Sequence, residues 1–360
     1  SEAIQQGDTA ALLRLLTSRA DDDHIGAITT TSLEILQQYR DPQERSLAHL
    51  AILANSLDVL EFILASGFDA TDDCEDETGK SPLTIAMLER SVNAVKLLLT
   101  YGSDINQQDS DLHTPLHMLA MYSSTNTSDA YNTDDGDEDK AMIELILHRN
   151  GADVHMRDSC DNTPLHLAAA YGACEFARNL IRAGVDINSV NQNGSSPLHL
   201  AAANGEYQIV RCLLEAGADV DMVDAAGNTP LIDAAFVTQP TVSAAPTPFA
   251  FGDQHTQGKV VRLLLAHRAD PNAVNLEGNN ALFGAVRNQF EDVIDQLSHH
   301  DLHTTCFQWR NNQQETLLHI AARAQVTNVS IWQTLLKFCE TGMSTTRSLS
   351  YLRLRSGIDR

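Results

Sequence analysis

Residues 163–188 read TPLHLAAAYGACEFARNLIRAGVDIN, and 33 positions later residues 196–221 read SPLHLAAANGEYQIVRCLLEAGADVD. The two segments are copies of one unit, because their apolar, glycine and acidic positions recur in the same phase. Self-similarity at a fixed period of this length is typical of proteins built from stacked repeats. The chain is therefore predicted to be an array of repeats and not a set of unrelated globular domains.

The residues of one copy predict two helices and a turn. Thr163 can cap a helix with its hydroxyl, and Pro164 suits the first helical turn, where its missing N–H costs nothing. A second apolar run around Phe176 and Leu180 indicates another helix. Gly184 follows that run and can take the left-handed conformation that ends helices. Because one helix pair cannot bury its apolar face alone, neighbouring pairs are expected to stack.

Related openings recur along the chain and divide it into units. They lie near Ser46, Ser81, Thr114, Thr163, Ser196, Thr229, Asn280 and Thr316. Two intervals are longer than the rest, which predicts insertions near residues 123–140 and 237–258. We predict N-terminal capping helices over 1–40, repeats over 41–340, and a tail or terminal helix over 341–360.

The recurring TPLH opening, in phase with LLxxGADxN, resembles the ankyrin-repeat family. The resemblance implies an all-α solenoid of stacked helix-turn-helix units with projecting finger loops. It also implies that the histidine of each opening has an architectural role, bonding to backbone and to the opening Thr or Ser. These histidines are His117, His166, His199 and His319.

The same resemblance implies a non-enzymatic scaffold or adaptor that binds a partner protein on its concave surface. In such a solenoid the first helices and the finger tips line that surface. On the helices, the positions expected to face solvent are Met121, Tyr122, Ala170, Tyr171, Ala203, Asn204 and Phe236. On the fingers they are Ser110, Asp111, His113, Ser159, Cys160, Asn162, Gln192, Asn193, Ser195 and Asn228. The aromatic rings are the expected anchors, although Tyr122 and Phe236 could instead cover the bases of the two insertions.

The charge balance restricts the class of partner. The chain has 24 Lys and Arg against 48 Asp and Glu, a formal net charge of −24. Nucleic acid and anionic lipid both attract basic surfaces, so neither is an expected partner. A basic protein surface or peptide is electrostatically favoured, although the charge could equally serve solubility alone. The six cysteines are scattered and no long apolar run occurs, so we expect no membrane insertion and a cytoplasmic location, with the nucleus as an alternative.

No sequence motif indicates catalysis or a cofactor. The chain lacks a GxSxG elbow, a glycine-rich phosphate loop and an HExxH helix. His299, His300, His303 and Cys306 are zinc-ligand types at short spacing, but their place between two degenerate repeats favours an exposed polar loop with a half-buried Cys. The acidic run within 123–140 lacks the spacing of a calcium loop. We therefore predict no enzyme, no metal and no cofactor.

Family resemblance adds two interpretations, and two alternatives stand beside the adaptor role. Asn106 and Asn188 fit the site of an asparaginyl hydroxylase that modifies ankyrin repeats, although both could serve only to start a finger. The C-terminal stretch STTRSLSYLRLRSGIDR resembles the start of a SOCS box, without the expected cysteine. The chain could accordingly be the recognition module of a larger enzyme or ubiquitin ligase. It could also be a secreted bacterial effector acting in host cytosol.

Overall fold

The computed structural model describes residues 39–65, 76, 78–122, 141–147, 151–236, 254–299 and 309–343. In these ranges the chain forms sixteen helices and no strand, which confirms the predicted all-α repeat fold. The helices form eight consecutive pairs, and the chain divides into two compact units, residues 1–185 and 186–360.

The first unit contains four helix pairs. They are α1 (Leu47–Leu53) with α2 (Leu57–Ala65), α3 (Pro82–Leu88) with α4 (Val92–Thr100), α5 (Pro115–Tyr122) with α6 (141–147), and α7 (Pro164–Tyr171) with α8 (Cys174–Arg182). The first helices of successive pairs pack side by side, α1 on α3, α3 on α5 and α5 on α7.

The second unit also contains four helix pairs. They are α9 (Pro197–Ala203) with α10 (Tyr207–Glu215), α11 (Pro230–Ala235) with α12 (Gln254–Ala266), α13 (Ala281–Arg287) with α14 (Glu291–Ser298), and α15 (Leu317–Arg323) with α16 (Val329–Met343). The first helices pack side by side in the order α9, α11, α13, α15. The second helices pack on one another in the matching order α10, α12, α14, α16.

The first helices begin where the opening residues predict. Thr163 and Ser196 are extended N-cap residues whose side chains accept from the third helical residue, and Pro164 and Pro197 occupy the first turn. The histidine three residues after each cap returns a bond to the cap, completing a capping box. The sequence of the opening therefore determines the helix start.

The second helices supply the large core residues. In α8, Phe176 and Leu180 are 1% and 0% exposed, while Arg182 on the opposite side of the helix faces solvent. Burying a side chain of this size contributes about 1.5–3 kcal/mol. Gly184, just beyond α8, has a φ of 86°, the left-handed conformation that the sequence predicts there.

Part of one predicted insertion is helical. Helix α12 begins at Gln254, so residues 254–258 of the insertion predicted near 237–258 belong to this helix. The sequence QHTQG has no strong apolar pattern, and its helical state follows from the burial of Gln257 and Gly258 against the neighbouring helices.

The predictions that lie outside the described residues concern 1–38, 123–140, 237–253, His300, His303, Cys306 and 344–360.

Candidate partner-binding surface

Two opening histidines, His117 and His199, each join their repeat to the next one within the same unit. Nδ1 of His199 accepts from the Ser196 N–H at 3.1 Å, so the proton must lie on Nε2, which donates to the Asn228 carbonyl at 3.0 Å. In the first unit His117 makes the same pair of bonds, to the Thr114 N–H and the Asn162 carbonyl. Burial lowers the pKa of His117 to about 4, so the ring is neutral at physiological pH. These histidines have all their bonds inside the fold, which leaves no nitrogen for a metal or a substrate.

The loops that connect successive helix pairs form the fingers. Within each finger of the second unit an Asp or Asn side chain holds the turn, and in the second of them Oδ1 of Asp224 accepts from the N–H groups of Ala226 and Asn228. Such a side-chain acceptor replaces the backbone bonds that a short turn cannot make. The fingers are therefore defined by their own side chains and not by the helices alone.

The fingers of the second unit are bonded to one another in register. The Ala225 N–H donates to the Asn193 carbonyl at 2.9 Å, and the Leu276 N–H donates to the Ala226 carbonyl at 3.0 Å. The Asn312 N–H donates to the Glu277 carbonyl at 2.9 Å. Because the same pair of positions bonds at each step, equivalent residues of successive fingers form rows along the unit.

One such row is apolar and exposed. We call Val190, Val223 and Val274 the valine row; each valine directly precedes the Asn or Asp that holds its finger, and they are 37%, 58% and 40% exposed. Leu276, at the tip of the third finger, is 71% exposed. The equivalent positions in the first unit carry Gln108 and Arg157. Exposed apolar residues that recur at one position of successive fingers are a candidate binding surface.

A cleft of about 360 Å³ lies between the fingers and the first helices at the end of the second unit. Its lining includes Phe236, Leu276, Arg287, Asn312, Ile320 and Arg323. Arg287 makes no hydrogen bond or ion pair with any described residue, and its side chain is exposed. Arg323 donates from one nitrogen to Glu315 at 2.8 Å. The cleft thus combines an apolar floor with guanidinium donors.

Phe236 has its place in the cleft because of a glycine in the next repeat. At the position of Leu200 and Ile320, the third repeat of the second unit carries Gly284. A Cβ on Gly284 would lie 2.7 Å from Cε2 of Phe236, closer than any ordinary contact. The missing side chain therefore creates the space that the aromatic ring fills, and Phe236 is half-buried against α13.

Several residues predicted to face solvent are buried instead. Tyr171 is 6% exposed and Ala170 is 8% exposed, because the ring at the end of α7 gains more from packing than from contact with water. Burial also raises the pKa of the Tyr171 hydroxyl. The predictions of exposure for Asn162 and Ser195 are wrong as well. The Asn162 amide donates to Asp158 at 3.0 Å, and the Ser195 N–H donates to Asn191, so both belong to the base of their fingers.

The remaining predicted positions are accessible to different degrees. Tyr122 is 53% exposed, and its carbonyl accepts from Arg90. Ser159, Gln192 and Asn193 are exposed, whereas Met121, Cys160, Asn204, Asn228 and Phe236 are half-buried. In the second unit the Asn193 carbonyl and the Asn228 side chain each bond to the following finger, and Phe236 lines the cleft. Gln192 and Asn204 belong to the same unit. Tyr122, Met121, Ser159 and Cys160 belong to the first unit.

The valine row and Leu276 are not among the positions that the sequence predicts to bind a partner. The predicted finger positions follow the finger Asp or Asn, whereas each valine precedes that residue. The recurring Val, where other fingers carry Gln or Arg, is the feature of the sequence that identifies the row.

In the first unit, an ionisable cluster joins two fingers. Nδ1 of His113 lies 3.4 Å from an Asp109 oxygen, and Nε2 lies 3.8 Å from Asp158 of the next finger. Burial alone would lower the pKa of His113, but the hydrogen bond and charge of Asp109, with the charge of Asp158, raise it above its ordinary value. The protonated ring therefore bridges two repeats.

The two asparagines considered for hydroxylation are both bonded. Oδ1 of Asn106 accepts from the Asp153 N–H at 2.8 Å, and Oδ1 of Asn188 accepts from the Asp219 N–H at 3.0 Å. Each side chain therefore connects the start of its finger to the next one. Modification of these residues stays a prediction.

No group of three or more His, Cys, Asp or Glu side chains in the described ranges could hold a metal ion. Over the same residues, no helix is both long and apolar enough to cross a membrane.

The comparison with known families matches most of the chain. The family described as ankyrin repeats (3 copies) matches residues 1–109, 47–130, 133–224, 165–242 and 252–345. The matches span well over half of the sequence, so the chain belongs to the ankyrin-repeat family. Repeats of this family generally mediate protein–protein interaction. No curated protein matches the chain.

Proposed function

We propose that this chain is a non-enzymatic scaffold or adaptor that binds a partner protein through the finger side of its second unit. The observation that carries the proposal is the valine row, three exposed apolar side chains held in register by backbone bonds between fingers. Rigid, in-register presentation lowers the entropy that binding must overcome. The half-buried Phe236 and the exposed Leu276 extend the apolar surface towards the cleft.

The charges beside the valine row favour basic side chains on the partner. Asp219, Asp221 and Asp270 are exposed on the fingers, and a backbone N–H bonds one carboxylate oxygen of each. No described residue forms an ion pair with them. Complementary charges of this kind speed association and fix the orientation of the partner. We therefore expect binding to weaken as salt concentration rises.

The proposal is tested by affinity capture with a matched pair of variants. The test protein carries Val223→Ser and Val274→Ser, and the control carries Val329→Ser, an exposed valine on α16 that is 66% exposed. Losing two apolar contacts of about 1 kcal/mol each weakens binding by roughly thirtyfold. Captured proteins are quantified by mass spectrometry at two salt concentrations.

We expect specific proteins to be retained by the wild type and by the control, and to be depleted from the double variant. Equal retention by all three proteins contradicts the proposal, because the finger valines would then contribute nothing. Circular dichroism confirms that the variants keep their helices.

A further inference from the structure

The cleft at the end of the second unit differs in charge from the chain as a whole. The protein has a formal net charge of −24, yet the ionisable residues that line this cleft are Arg287, Arg323 and Glu277. These groups line a volume of about 360 Å³, and Arg323 is in turn ion-paired with Glu315 just outside the lining. Arg287, which has no ion pair with a described residue, is therefore the group that attracts a carboxylate here.

The guanidinium groups of the cleft keep nitrogens that do not bond to described residues, whereas its amide groups are bonded within the fold. Glu277 accepts from the Asn279 amide at 2.9 Å, and the Asn312 amide donates to the Leu276 carbonyl at 2.7 Å. Arg287 bonds to none of the described residues, and the single bond of Arg323 to Glu315 occupies one of its guanidinium nitrogens. Guanidinium groups bind carboxylates in a fixed fork geometry, which gives direction as well as attraction.

The carboxyl group that α11 carries, that of Asp233, does not repel an acidic ligand at neutral pH. Asp233 lies one helical turn before Phe236, at the repeat position that Leu200 and Ile320 occupy in other copies. Burial, with a smaller contribution from Asp224, raises the pKa of Asp233 to about 8. This carboxyl is therefore mostly uncharged at neutral pH.

The floor of the cleft requires an apolar group beside the acid. The Phe236 ring fills the space above Gly284, Ile320 is 4% exposed beneath the cleft, and Leu276 projects from the finger with 71% of its surface exposed. An acidic side chain alone would leave these surfaces in water. An apolar neighbour would cover them.

We propose that this cleft binds a short segment of the partner in which an acidic side chain is next to a leucine or phenylalanine. The carboxylate pairs with Arg287 and with the open nitrogens of Arg323. The apolar side chain packs against Phe236 and Leu276. The inference rests on the proposed function, because it names the chemistry that one part of the same protein-binding surface recognises.

The test uses fluorescein-labelled peptides of defined composition. The acidic probe is Gly-Ser-Leu-Asp-Phe-Glu-Ser-Gly; in the amide probe Asn and Gln replace the acids, and in the basic probe Lys replaces both. Binding to the intact chain is measured by fluorescence polarisation. We expect the acidic probe to bind at least tenfold more tightly than either of the others.

Substitutions identify the cleft as the place of binding. Arg287→Gln should weaken the acidic probe about tenfold, and Arg287→Glu should reverse the preference towards the basic probe. Arg262→Gln is the matched control, because Arg262 is exposed on α12 and does not line the cleft. Arg287 is preferred to Arg323 for the test, since its removal leaves no ion-pair partner behind.

Three outcomes overturn the inference: no binding of the acidic probe, equal binding of the acidic and amide probes, or an equal loss in Arg287→Gln and Arg262→Gln. The valine variants separate this failure from a failure of the proposed function. If the acidic probe fails while partner capture still depends on Val223 and Val274, the cleft has another role and the finger surface remains the binding site.

Discussion

The contact between Phe236 and Gly284 predicts a measurable coupling. Replacing Gly284 by Ala adds a Cβ that would lie 2.7 Å from Cε2 of Phe236. Two effects oppose each other. Alanine stabilises a helix interior by about 1 kcal/mol relative to glycine, whereas overpacking a filled site costs about 1–3 kcal/mol. Since the aromatic ring already occupies the space, we expect a net loss of about 1 kcal/mol for Gly284→Ala.

The effect of Gly284→Ala on the free energy of unfolding should change sign when the Phe236 ring is absent. In a Phe236→Ala background the same substitution keeps the helical gain of about 1 kcal/mol and loses the clash. The double-mutant cycle should therefore show a coupling energy of about 2 kcal/mol, in the range seen for residues in direct contact.

Urea unfolding followed by circular dichroism measures the four proteins of the cycle. The slopes with urea must agree among them, because a changed slope indicates a changed denatured or native state. Additive effects within about 0.5 kcal/mol would refute the reasoning, since they would mean that Phe236 does not occupy the space above Gly284.

Three other predictions concern titration and packing. The pKa of His113 is raised, so its bridge to Asp109 and Asp158 stabilises the fold below about pH 6.5, and this stabilisation is lost as pH rises through the folded pKa. His113→Gln should remove this pH dependence of the melting temperature. The pKa of His117 is lowered to about 4, so stability should fall as pH drops from about 6.5 to about 4, by up to about 3 kcal/mol, and a flat acid limb in denaturant titrations would contradict the buried neutral ring. The raised pKa of Asp233 means that ionising it costs stability as pH rises from about 4 towards 8, so Asp233→Leu should raise the melting temperature, with a larger gain at pH 8 than at pH 5. An equal gain at both pH values would show that Asp233 is not ionised at a cost to the fold.

The periodic parts of the fold are readable from the sequence. A Thr or Ser cap, a proline in the first turn and a histidine three residues after the cap act locally, so the helix starts follow from a few adjacent residues. The left-handed glycine after α8 is local in the same sense. The match to the ankyrin-repeat family confirms this part of the prediction.

The candidate site depends on contacts between repeats, which a single unit does not encode. Tyr171 and Phe236 occupy similar positions near the ends of first helices, yet the first ring is buried and the second lines a cleft. Phe236 packs in the space that Gly284 of the following repeat leaves open, and the sequence of its own repeat does not encode this contact. Asp233 at an otherwise apolar position is similarly visible in the sequence, but its raised pKa depends on three-dimensional burial.

The bond that joins neighbouring fingers is the same whether or not extra sequence lies between them. It links Asn188 to Asp219, 31 residues apart, and Asp221 to Asp270, 49 residues apart, at 3.0 and 2.9 Å. In the sequence, the extra residues of each long interval lie between the two helices of one pair and not within a finger. A reporter domain inserted after Phe236 is therefore expected to leave the bonds between the finger tips unchanged. The chain could then lengthen at this point without altering the proposed partner-binding surface.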